Sequence, residues 1–563
     1  MKSTTPIEYH SDTLVIGGGL AGIVTALELI EQGQRVILLD AEAEQQFGGQ
    51  ANHAFGGMLL INTKEQRKNG IHDSPQLLLA DWLRAAEFAA DDIWGQRWAE
   101  TYAYHCKTDV YDWLMANGIR FFPAVQWVER GNYGNGNSLP RYHIAWGCGR
   151  GVVQTLAQKL RQHSQRKLLT IRYEHRVTGL IRDSQTNAIS GCVGVAQLPC
   201  AKASGGETQA QAFQVQAKAT VVCSGGINGN IDKVREHWSP IYGPFPENIL
   251  NGVSPAADGA MHDAVANIGG QVINLGQMWN YAAGIAHPKP KFPRHGLSLI
   301  PPRSALWLDA QGNRVGPEPM ITGFDTHDLC KRTGHLPGQY TWQVMNWHIA
   351  AKELAISGTD ENPHFRDKKL LRIIWQSLRG NHKLVQWLVE HCEDVIVADT
   401  LIELAEKMRG LSKDNRLDST LFCQSIEQYD AMLQRGDALH NDDQVRKLQQ
   451  LRQWRSDKLR TAKMQPILTK KNGPLIAIRE RIVSRKSMGG MLTNLNSQVL
   501  DHDHQPITGL YAAGEAAGFG GGGISGIRSL EGTFLSNCIL NGRRAARAII
   551  AQQAEAARLG DNT

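Results

Sequence analysis

Several residues near the start of the chain have the types and the spacing needed to bind a dinucleotide. They are Gly17, Gly19 and Gly22, with Leu20 and Ala21 between the last two, and Asp40. The first glycine permits a tight turn, the second lets a pyrophosphate approach the backbone, and the third allows a helix to pack closely on a strand. A carboxylate about 20 residues further on can accept hydrogen bonds from a ribose. The pattern predicts a dinucleotide site without distinguishing NAD from FAD.

Two further glycine-rich segments are placed where a ligand could approach the backbone. The first comprises Gly48, Gly49, Gln50, Gly56 and Gly57. It follows a predicted strand, and ligands of open parallel sheets lie at the carboxyl ends of the strands. A mobile surface loop is the alternative for this segment. The second segment has six glycines between positions 518 and 526 and precedes a predicted helix, whose dipole can stabilise negative charge.

A doubly wound α/β fold would bring these turns together. Aliphatic residues 14–16 and 36–39 are typical of buried strands, and the segment between them has helical periodicity up to Gly33. Further elements are predicted at 168–172, at 175–181 around Val177, at 217–223 before Ser224, Gly225 and Gly226, and as a helix near Val152.

The middle of the chain interrupts this strand–helix alternation. Proline-rich turns at 287–302 precede long charged segments at 368–408, 417–432 and 444–464, which we interpret as helices with solvated charged faces. The strand pattern returns at 475–482, 487–493 and 509–515, before a helix at 534–552. We therefore predict a dinucleotide-binding domain in two parts, residues 1–256 and 466–563, with an α+β capping domain at 257–465 inserted between them.

Composition excludes several classes of protein. The 563 residues include 60 basic and 54 acidic ones, a balance that indicates neither a nucleic-acid partner nor an anionic membrane as a partner. The nine cysteines form no CxxC pair, so we expect no metal site and a reducing compartment. No apolar run is long enough to span a membrane, and the first residues lack a signal-peptide pattern, so the expected location is cytoplasmic.

Three stretches carry a resemblance that is more specific than any single motif. They are GNSLPRYHIAWGCGRGVV, PLIAIRERIVSRKSMGGM and AGEAAGFGGGGISGIRSLEGTF. With the N-terminal GGGLAG and the CSGG that ends a central strand, they resemble the fumarate reductase and 3-ketosteroid dehydrogenase superfamily of flavoproteins, in particular its bacterial ketosteroid-dehydrogenase-like FAD-binding dehydrogenases. The resemblance covers essentially the whole chain. It implies a Rossmann-type, GR2-like FAD-binding domain split by a capping domain, with FAD as the cofactor.

The resemblance also implies a role for individual residues. The FAD pyrophosphate would lie at the first three glycines and the adenosine ribose at Asp40. The remaining implied contacts are Gly48, Gly49 and Gln50 near the pyrophosphate and flavin, Val177, Gly225 and Gly226 around the adenosine, Gly514 and Glu515 at the ribityl-diphosphate, and Gly532 and Thr533 at the pyrimidine edge of the flavin.

Departures from the family pattern refine these expectations. Covalent members carry a flavin-linked histidine six residues before a Gly-Gly pair, where this chain has Gln50 before Gly56, so the resemblance implies non-covalent FAD. Fumarate reductases have His-His-Thr-Met-Gly-Gly where this chain has residues 485–490, RKSMGG, and His-Pro-Thr near residues 277–281, QMWNY. Only their arginine after the late glycine loop has a counterpart, Arg528, so fumarate is disfavoured as a substrate.

Flavin chemistry then suggests roles for the remaining polar residues. Flavin N5 exchanges hydride, while the protein supplies a proton donor or acceptor and stabilises charge. Arg485, Lys486 and Arg528 are candidates for holding a carboxylate or an enolate between the flavin and the inserted domain, with purely structural ion pairs as the alternative. Tyr281 or His143 could exchange the proton.

The leading hypothesis is an FAD-dependent dehydrogenase that acts on a small molecule at a C–C bond next to a carbonyl, such as a steroid-like ketone or enone. The alternative is a flavoprotein electron-transfer subunit that docks on a separate redox partner. A flavin monooxygenase or NAD-linked reductase would require a second GxGxxG unit, which the sequence lacks. The electron acceptor and the oligomeric state stay open at this stage.

Overall fold

The computed structural model describes residues 6–199, 208–436 and 438–560, which form two eight-stranded sheets. The first sheet has a parallel centre, because the strand Ile7–Ile16 pairs with Val36–Leu39 on one side and with Thr208–Val222 on the other. Its other strands are Leu169–Arg172, the hairpin His175–Arg182 and Ile189–Pro199, Gln498–Leu500 and Pro506–Ala512.

The register of the parallel strands places four chain segments at one edge. Ile16 pairs with Leu39 and with Val222, and Val222 also pairs with Ala512. The turns that follow these residues contain Gly17, Asp40, Ser224 and Gly514, so the glycine-rich motifs meet at the carboxyl ends of the strands.

Helix Leu20–Glu31 packs between this sheet and the last helix, Thr533–Gly560. Ten of its twelve residues are buried, which explains why its sequence is apolar on every face. Gly542 lets the two helices approach closely, because a Cβ there would lie 2.8 Å from the carbonyl oxygen of Ala21. The other helices of this half are Gly49–His53, Lys64–Lys68, Pro75–Ala86, Ile93–His105, Trp113–Ala116, Cys148–Gln162, Ile231–Glu236 and Ala260–Asn267, with a π-helical segment at Cys106–Asp112.

The second sheet is largely antiparallel and is built around Leu475–Ser487. Its other strands are Met278–Ala286, Gly296–Ile300, Leu306–Leu308, Tyr340–Asn346, Ala355–Ile356, Val395–Ala398 and Leu250–Asn251. The domain boundaries at 256 and 465 stay a prediction. The strand Leu475–Ser487 falls in the predicted second part of the dinucleotide-binding domain. It nevertheless pairs mainly with strands of the predicted capping domain, Met278–Ala286 and Tyr340–Asn346.

Helices cover the second sheet, and some differ from the sequence-based prediction. The predicted helical segment 368–408 is in fact two helices, a strand and a third helix, because Gly380 ends the first of them with a φ of 90°. The helix predicted near Val152 begins earlier, at Cys148. The helices of this half are Thr326–His335, Trp347–Glu353, Pro363–Arg366, Leu370–Arg379, His382–His391, Leu401–Ser412, Ser419–Gln434, Asp443–Leu451 and Arg455–Arg460.

Cysteines and possible metal ligands are dispersed in the described part of the chain. Eight cysteines are free thiols, and Cys200 lies outside the described residues. Within the described ranges, no group of three or more His, Cys, Asp or Glu side chains could hold a metal ion. Among the same residues, no helix combines the length and the apolarity needed to cross a membrane.

Candidate active site

A long cavity runs from the carboxyl edge of the first sheet to the end of the strand Leu475–Ser487. Most of the residues predicted to bind the cofactor line it: Gly17, Gly19, Leu20, Ala21, Asp40, Gly48, Gly49, Gln50, Gly56, Gly57, Val177, Ser224, Gly225, Gly514 and Glu515. Three of the predicted catalytic residues, Tyr281, Arg485 and Lys486, also line it. The fold therefore brings together residues from positions far apart in the chain.

The three glycines of the first turn differ in their surroundings. A Cβ on Gly17 would lie 2.3 Å from the carbonyl oxygen of Cys223, and one on Gly22 would lie 2.0 Å from that of Gly17. Gly19, by contrast, has no atom within 4 Å of its Cβ position. It also precedes the helix Leu20–Glu31 without a side-chain cap, so the first N–H groups of that helix are available to a ligand. This open space beside free N–H groups fits a pyrophosphate.

Asp40 lies at the end of the second parallel strand, at the adenosine end of the cavity. Burial raises the pKa of its carboxyl to about 6, although the backbone N–H of Glu42, 3.0 Å from Oδ1, opposes that shift. The carboxylate therefore lies where it can accept hydrogen bonds from a ribose.

Gln50 supplies an independent test of whether FAD fits. Its side-chain nitrogen is buried and has no hydrogen-bond partner among the described residues. A buried donor without a partner is costly, and an acceptor atom of a bound ligand would satisfy it. The residue lines the cavity, where the family resemblance predicts a contact with the cofactor. The nearby His53 lines a neighbouring cavity instead.

Four predicted cofactor residues shape the cavity without lining it: Gly22, Gly226, Gly532 and Thr533. A Cβ on Gly226 would lie 2.6 Å from Oε1 of Glu515, and one on Gly532 would lie 2.7 Å from the backbone nitrogen of Leu59. Thr533 bonds to Ser529, with 2.9 Å between the two hydroxyl oxygens. These residues act by allowing close packing behind the cavity wall.

Glu515 is buried next to the strand that carries Arg485 and Lys486. Its Oε1 accepts a hydrogen bond of 2.9 Å from the backbone nitrogen of Ser487. Burial raises the pKa of its carboxyl to about 7, while this bond and Lys486 oppose the shift. The side chain thus joins the end of the second sheet to the Gly514 turn of the first.

A cluster of four hydrogen-bonded side chains lies where the second sheet meets the cavity. The hydroxyl of Tyr281 donates to Oε2 of Glu531 over 2.8 Å and accepts from Nζ of Lys486 over 3.0 Å. Nε1 of Trp279 donates to the same Oε2 of Glu531 over 2.6 Å, which fixes the carboxylate. Tyr281 and Lys486 lie on adjacent antiparallel strands, where Trp279 pairs with Lys486 and Tyr281 with Val483. The arrangement can move a proton at the Tyr281 oxygen.

Burial shifts the ionisation of this cluster. The pKa of Lys486 falls to about 8, chiefly because desolvation disfavours the ammonium, while Glu531 opposes the shift. The pKa of Tyr281 rises well above its usual value because of burial and the Glu531 charge. Nζ of Lys486 lies 3.9 Å from Oε1 of Glu531, so the carboxylate partly balances the ammonium.

The structure does not gather the three predicted cations. Arg485 lines the cavity and donates from Nη1 to the carbonyl oxygen of Gly252 over 2.6 Å. Arg528 does not line it: its side chain forms ion pairs with Asp325, at 3.0 Å, and with Glu87. These two carboxylates pair with Arg528 away from the residues that line the cavity.

His143 is also separate from the cavity. It is buried, with Nε2 2.8 Å from the hydroxyl of Thr63 and Nδ1 2.7 Å from the carbonyl oxygen of Arg141. Burial lowers its pKa to about 4. Both ring nitrogens are engaged within the protein, so the structure places His143 among the supporting residues of the core.

Several residues around the Tyr281 cluster, which we call the reactive end of the cavity, were not identified from the sequence. Tyr142, Phe519 and Phe534 line the cavity there, and Glu531 is the hydrogen-bond partner of Tyr281. No catalytic role for Glu531 was predicted from the sequence. Its position in the glycine-rich stretch before the last helix was the one available signal.

A Rossmann-type sheet, a pyrophosphate turn and a buried proton-exchange cluster in one cavity define an FAD-dependent oxidoreductase with an FAD-binding domain and a capping domain. The chain belongs to the FAD binding domain family, whose model matches residues 12–535. FAD is therefore its cofactor.

Named relatives extend over nearly the whole chain. A KsdD-like steroid dehydrogenase of Mycobacterium tuberculosis is 39% identical over 551 residues, which cover 95% of each chain. A KsdD-like steroid dehydrogenase of Mycolicibacterium smegmatis is 38% identical over 533 residues, covering 93% of this chain and 96% of the relative. The crystal structure of 3-ketosteroid Δ1-dehydrogenase from Sterolibacterium denitrificans shares the fold, with a TM-score of 0.68 at 16% identity, over 97% of this chain and 100% of the other.

Proposed function

We propose that this protein transfers a hydride between flavin N5 and a C–C bond next to the carbonyl of a steroid-like ketone. The observation that carries the proposal is the hydroxyl of Tyr281, held between Lys486 and Glu531 inside the FAD cavity. The names of the relatives in Mycobacterium tuberculosis and Mycolicibacterium smegmatis support a steroid-like substrate.

The bound FAD supplies the hydride acceptor or donor at N5. The remaining work is a proton transfer at the substrate carbon, and Tyr281 is positioned to perform it. When a substrate proton reaches the Tyr281 oxygen, the phenolic proton can pass to Oε2 of Glu531 along the existing 2.8 Å hydrogen bond. The Lys486 ammonium, 3.0 Å from the same oxygen, stabilises negative charge that develops there. In the reverse direction, the same groups deliver the proton.

The rest of the reactive end suits an apolar substrate. Tyr142, Phe519 and Phe534 contribute aromatic wall, and apolar walls with few polar groups are typical of sites for small apolar ligands. Arg485 also lines the cavity, where its Nε is buried without a hydrogen-bond partner among the described residues. This group can donate to a substrate carbonyl.

The test is anaerobic mixing of the oxidised, FAD-loaded protein with a panel of 3-ketosteroids and simple cyclic ketones, followed by the loss of visible flavin absorbance. Simple cyclic enones and fumarate, which accept hydride, are instead mixed with the chemically reduced protein and followed by the return of that absorbance. The proposal expects 3-ketosteroids to bleach the flavin, and Tyr281→Phe to slow this step by about 10²- to 10⁴-fold at unchanged flavin content. Tyr133→Phe is the matched control, since Tyr133 is 78% exposed.

Two results would contradict the proposal. One is an oxidised flavin that no ketone in the panel bleaches, or a reduced flavin that fumarate reoxidises. The other is a Tyr281→Phe variant that reduces its flavin as fast as the Tyr133→Phe control. Steady turnover by the purified chain with an artificial electron acceptor separates a self-sufficient enzyme from a subunit that needs a redox partner.

Two narrower points belong to the same proposal. FAD is held non-covalently, because Gln50 takes the position of the linking histidine and an amide cannot form that bond. The location is cytoplasmic, which the eight free thiols support, because thiols persist in reducing compartments.

A further inference from the structure

Helix Leu370–Arg379 presents an apolar face to solvent. Leu371 is 81% exposed, Trp375 58% and Leu378 64%, and Leu370 and Ile374 are exposed on the same face. The spacing of these five positions is that of one side of a helix, and Ile373 is the one residue of the helix that is buried. Large exposed apolar patches mark interaction sites in soluble proteins.

Basic side chains surround this face. Residues 366–383 contain one acidic residue, Asp367, and six basic ones: Arg366, Lys368, Lys369, Arg372, Arg379 and Lys383. Asp367 is paired with Arg366 at 2.8 Å and with Lys369 at 3.3 Å. The other four basic residues form no salt bridge with any described residue. The nearly balanced charge of the whole chain hides this local excess.

The helix also borders a second cavity, which has a volume of about 1430 Å³. Trp375, Arg372 and Lys369 line this cavity at the helix, and Gln50 and Arg485 line both it and the FAD cavity. Through Trp375, the apolar face therefore borders a cavity that shares wall residues with the FAD cavity.

We propose that helix Leu370–Arg379 docks this enzyme on the surface of an anionic phospholipid membrane. Leu and Trp side chains on one face of a helix, flanked by Lys and Arg, are the pattern of helices that lie in the membrane interface. The four unpaired cations complement anionic headgroups, which carry a negative surface potential. Docking would place the mouth of the second cavity against the lipid, so that an apolar substrate could reach the site without crossing water. That route rests on the proposed function, whereas the membrane contact does not.

The test is co-sedimentation of the FAD-loaded full chain with vesicles of phosphatidylcholine alone or of phosphatidylcholine with phosphatidylglycerol. Binding to the mixed vesicles only is expected, and salt at about 0.5 M should weaken it by screening the cations. Leu371→Ser with Trp375→Ser should weaken binding about tenfold or more, since two apolar side chains no longer enter the lipid. Ile402→Ser, at a position 67% exposed on another helix, is the matched control and should bind normally.

A second pair of variants tests the charges. Replacing Lys368, Arg372 and Arg379 by Gln should reduce binding to the mixed vesicles, while Gln at the exposed positions Lys68, Lys159 and Lys167 of the other half should not. Flavin content and circular dichroism verify that each variant is folded.

The inference is overturned if the native chain sediments with neither kind of vesicle. It is also overturned if Leu371→Ser with Trp375→Ser leaves vesicle binding unchanged. A third outcome would assign the face to a second copy of the chain. In that case light scattering would show a dimer that Leu371→Ser with Trp375→Ser converts to a monomer, without vesicle binding. None of these measurements depends on turnover, so a failure of the proposed reaction is distinguished from a failure of the membrane contact.

Discussion

Tyr281 and Glu531 are separated by 250 positions in the chain, yet their side chains share a hydrogen bond of 2.8 Å. The bond orients the tyrosine, and Lys486 adds positive charge on its other side. At the scale of single residues, two of the three predicted cations, Lys486 and Arg485, line the cavity. The third, Arg528, forms ion pairs with carboxylates outside it. Each of these cations can be tested separately.

Lys486→Met should leave flavin content near normal and slow flavin reduction by substrate by about 100-fold or more, because it removes the charge beside the Tyr281 oxygen. Arg528→Met should instead lower the melting temperature by a few degrees and leave the rate per bound FAD unchanged, since it leaves Asp325 without its ion pair. Rapid mixing of matched flavin-loaded variants measures the rates. An equal rate loss in both variants would contradict the assignment.

The rate should also depend on the ionisation of Lys486. Its pKa is lowered to about 8, so the ammonium loses its proton as pH rises through that value, and kcat/KM should fall on the alkaline side. Because the folded-state pKa lies below the unfolded value, the same shift costs stability below about pH 8, and this cost disappears toward pH 10.5. A pH profile of kcat/KM for the native chain and Lys486→Met provides the check. The limb near pH 8 should be missing from the variant.

At the scale of elements, the three glycines of the first turn differ in what lies next to them. Gly17 and Gly22 sit against backbone atoms, and Gly19 faces the cavity. Three glycines with one sequence signature therefore have two physical roles, packing and ligand approach.

Gly19→Val and Gly22→Val should consequently fail in different ways. Valine at position 19 meets no protein atom and should give a folded chain that no longer binds FAD, because its methyl groups occupy the pyrophosphate position. Valine at position 22 would overlap the Gly17 carbonyl oxygen and should destabilise the apo protein itself. Thermal unfolding of the apo proteins and FAD titration distinguish the two. Full flavin occupancy in Gly19→Val would refute the pyrophosphate assignment.

The local motifs could be predicted from the sequence, whereas the hydrogen bonds and ion pairs between distant side chains could not. The glycine turn and Asp40 follow from a contiguous strand–helix–strand pattern, so their positions were predictable. Arg528 and His143 do not line the cavity, and nothing in the sequence indicated this, because their partners, among them Asp325 and Thr63, come from other elements. The break in segment 368–408 had a local signal, because Gly380 ends the first helix there with a φ of 90°.

At the scale of the whole molecule, the FAD cavity is assembled from the first, middle and last parts of the chain. Its walls include Gly19, Gly252, Tyr281 and Gly514, and the strand Leu475–Ser487 carries the second sheet to the edge of the first. FAD bound there would be held by residues of both sheets and should stabilise them together.

If the FAD is held non-covalently, acid denaturation should release all of it. Precipitating the yellow holoprotein with acid and measuring flavin in the supernatant and in the pellet tests this. The apoprotein should regain its melting temperature when FAD is added back, because ligand binding to the native state raises stability. Flavin that stays with the precipitated chain would show a covalent link and contradict the role assigned to Gln50.

The pairing of Pro506–Ala512 with Thr208–Val222 also has a consequence for biosynthesis. On the ribosome, the strand Thr208–Val222 is synthesised about 300 positions before its neighbour Pro506–Ala512. This side of the strand therefore has no pairing partner while the middle of the chain is being translated. The delay is longer still for the helix Leu20–Glu31, because its packing partner Thr533–Gly560 is synthesised last. Nascent chains are therefore expected to depend on chaperones through most of translation, and to capture flavin only after residues 506–560 have left the ribosome.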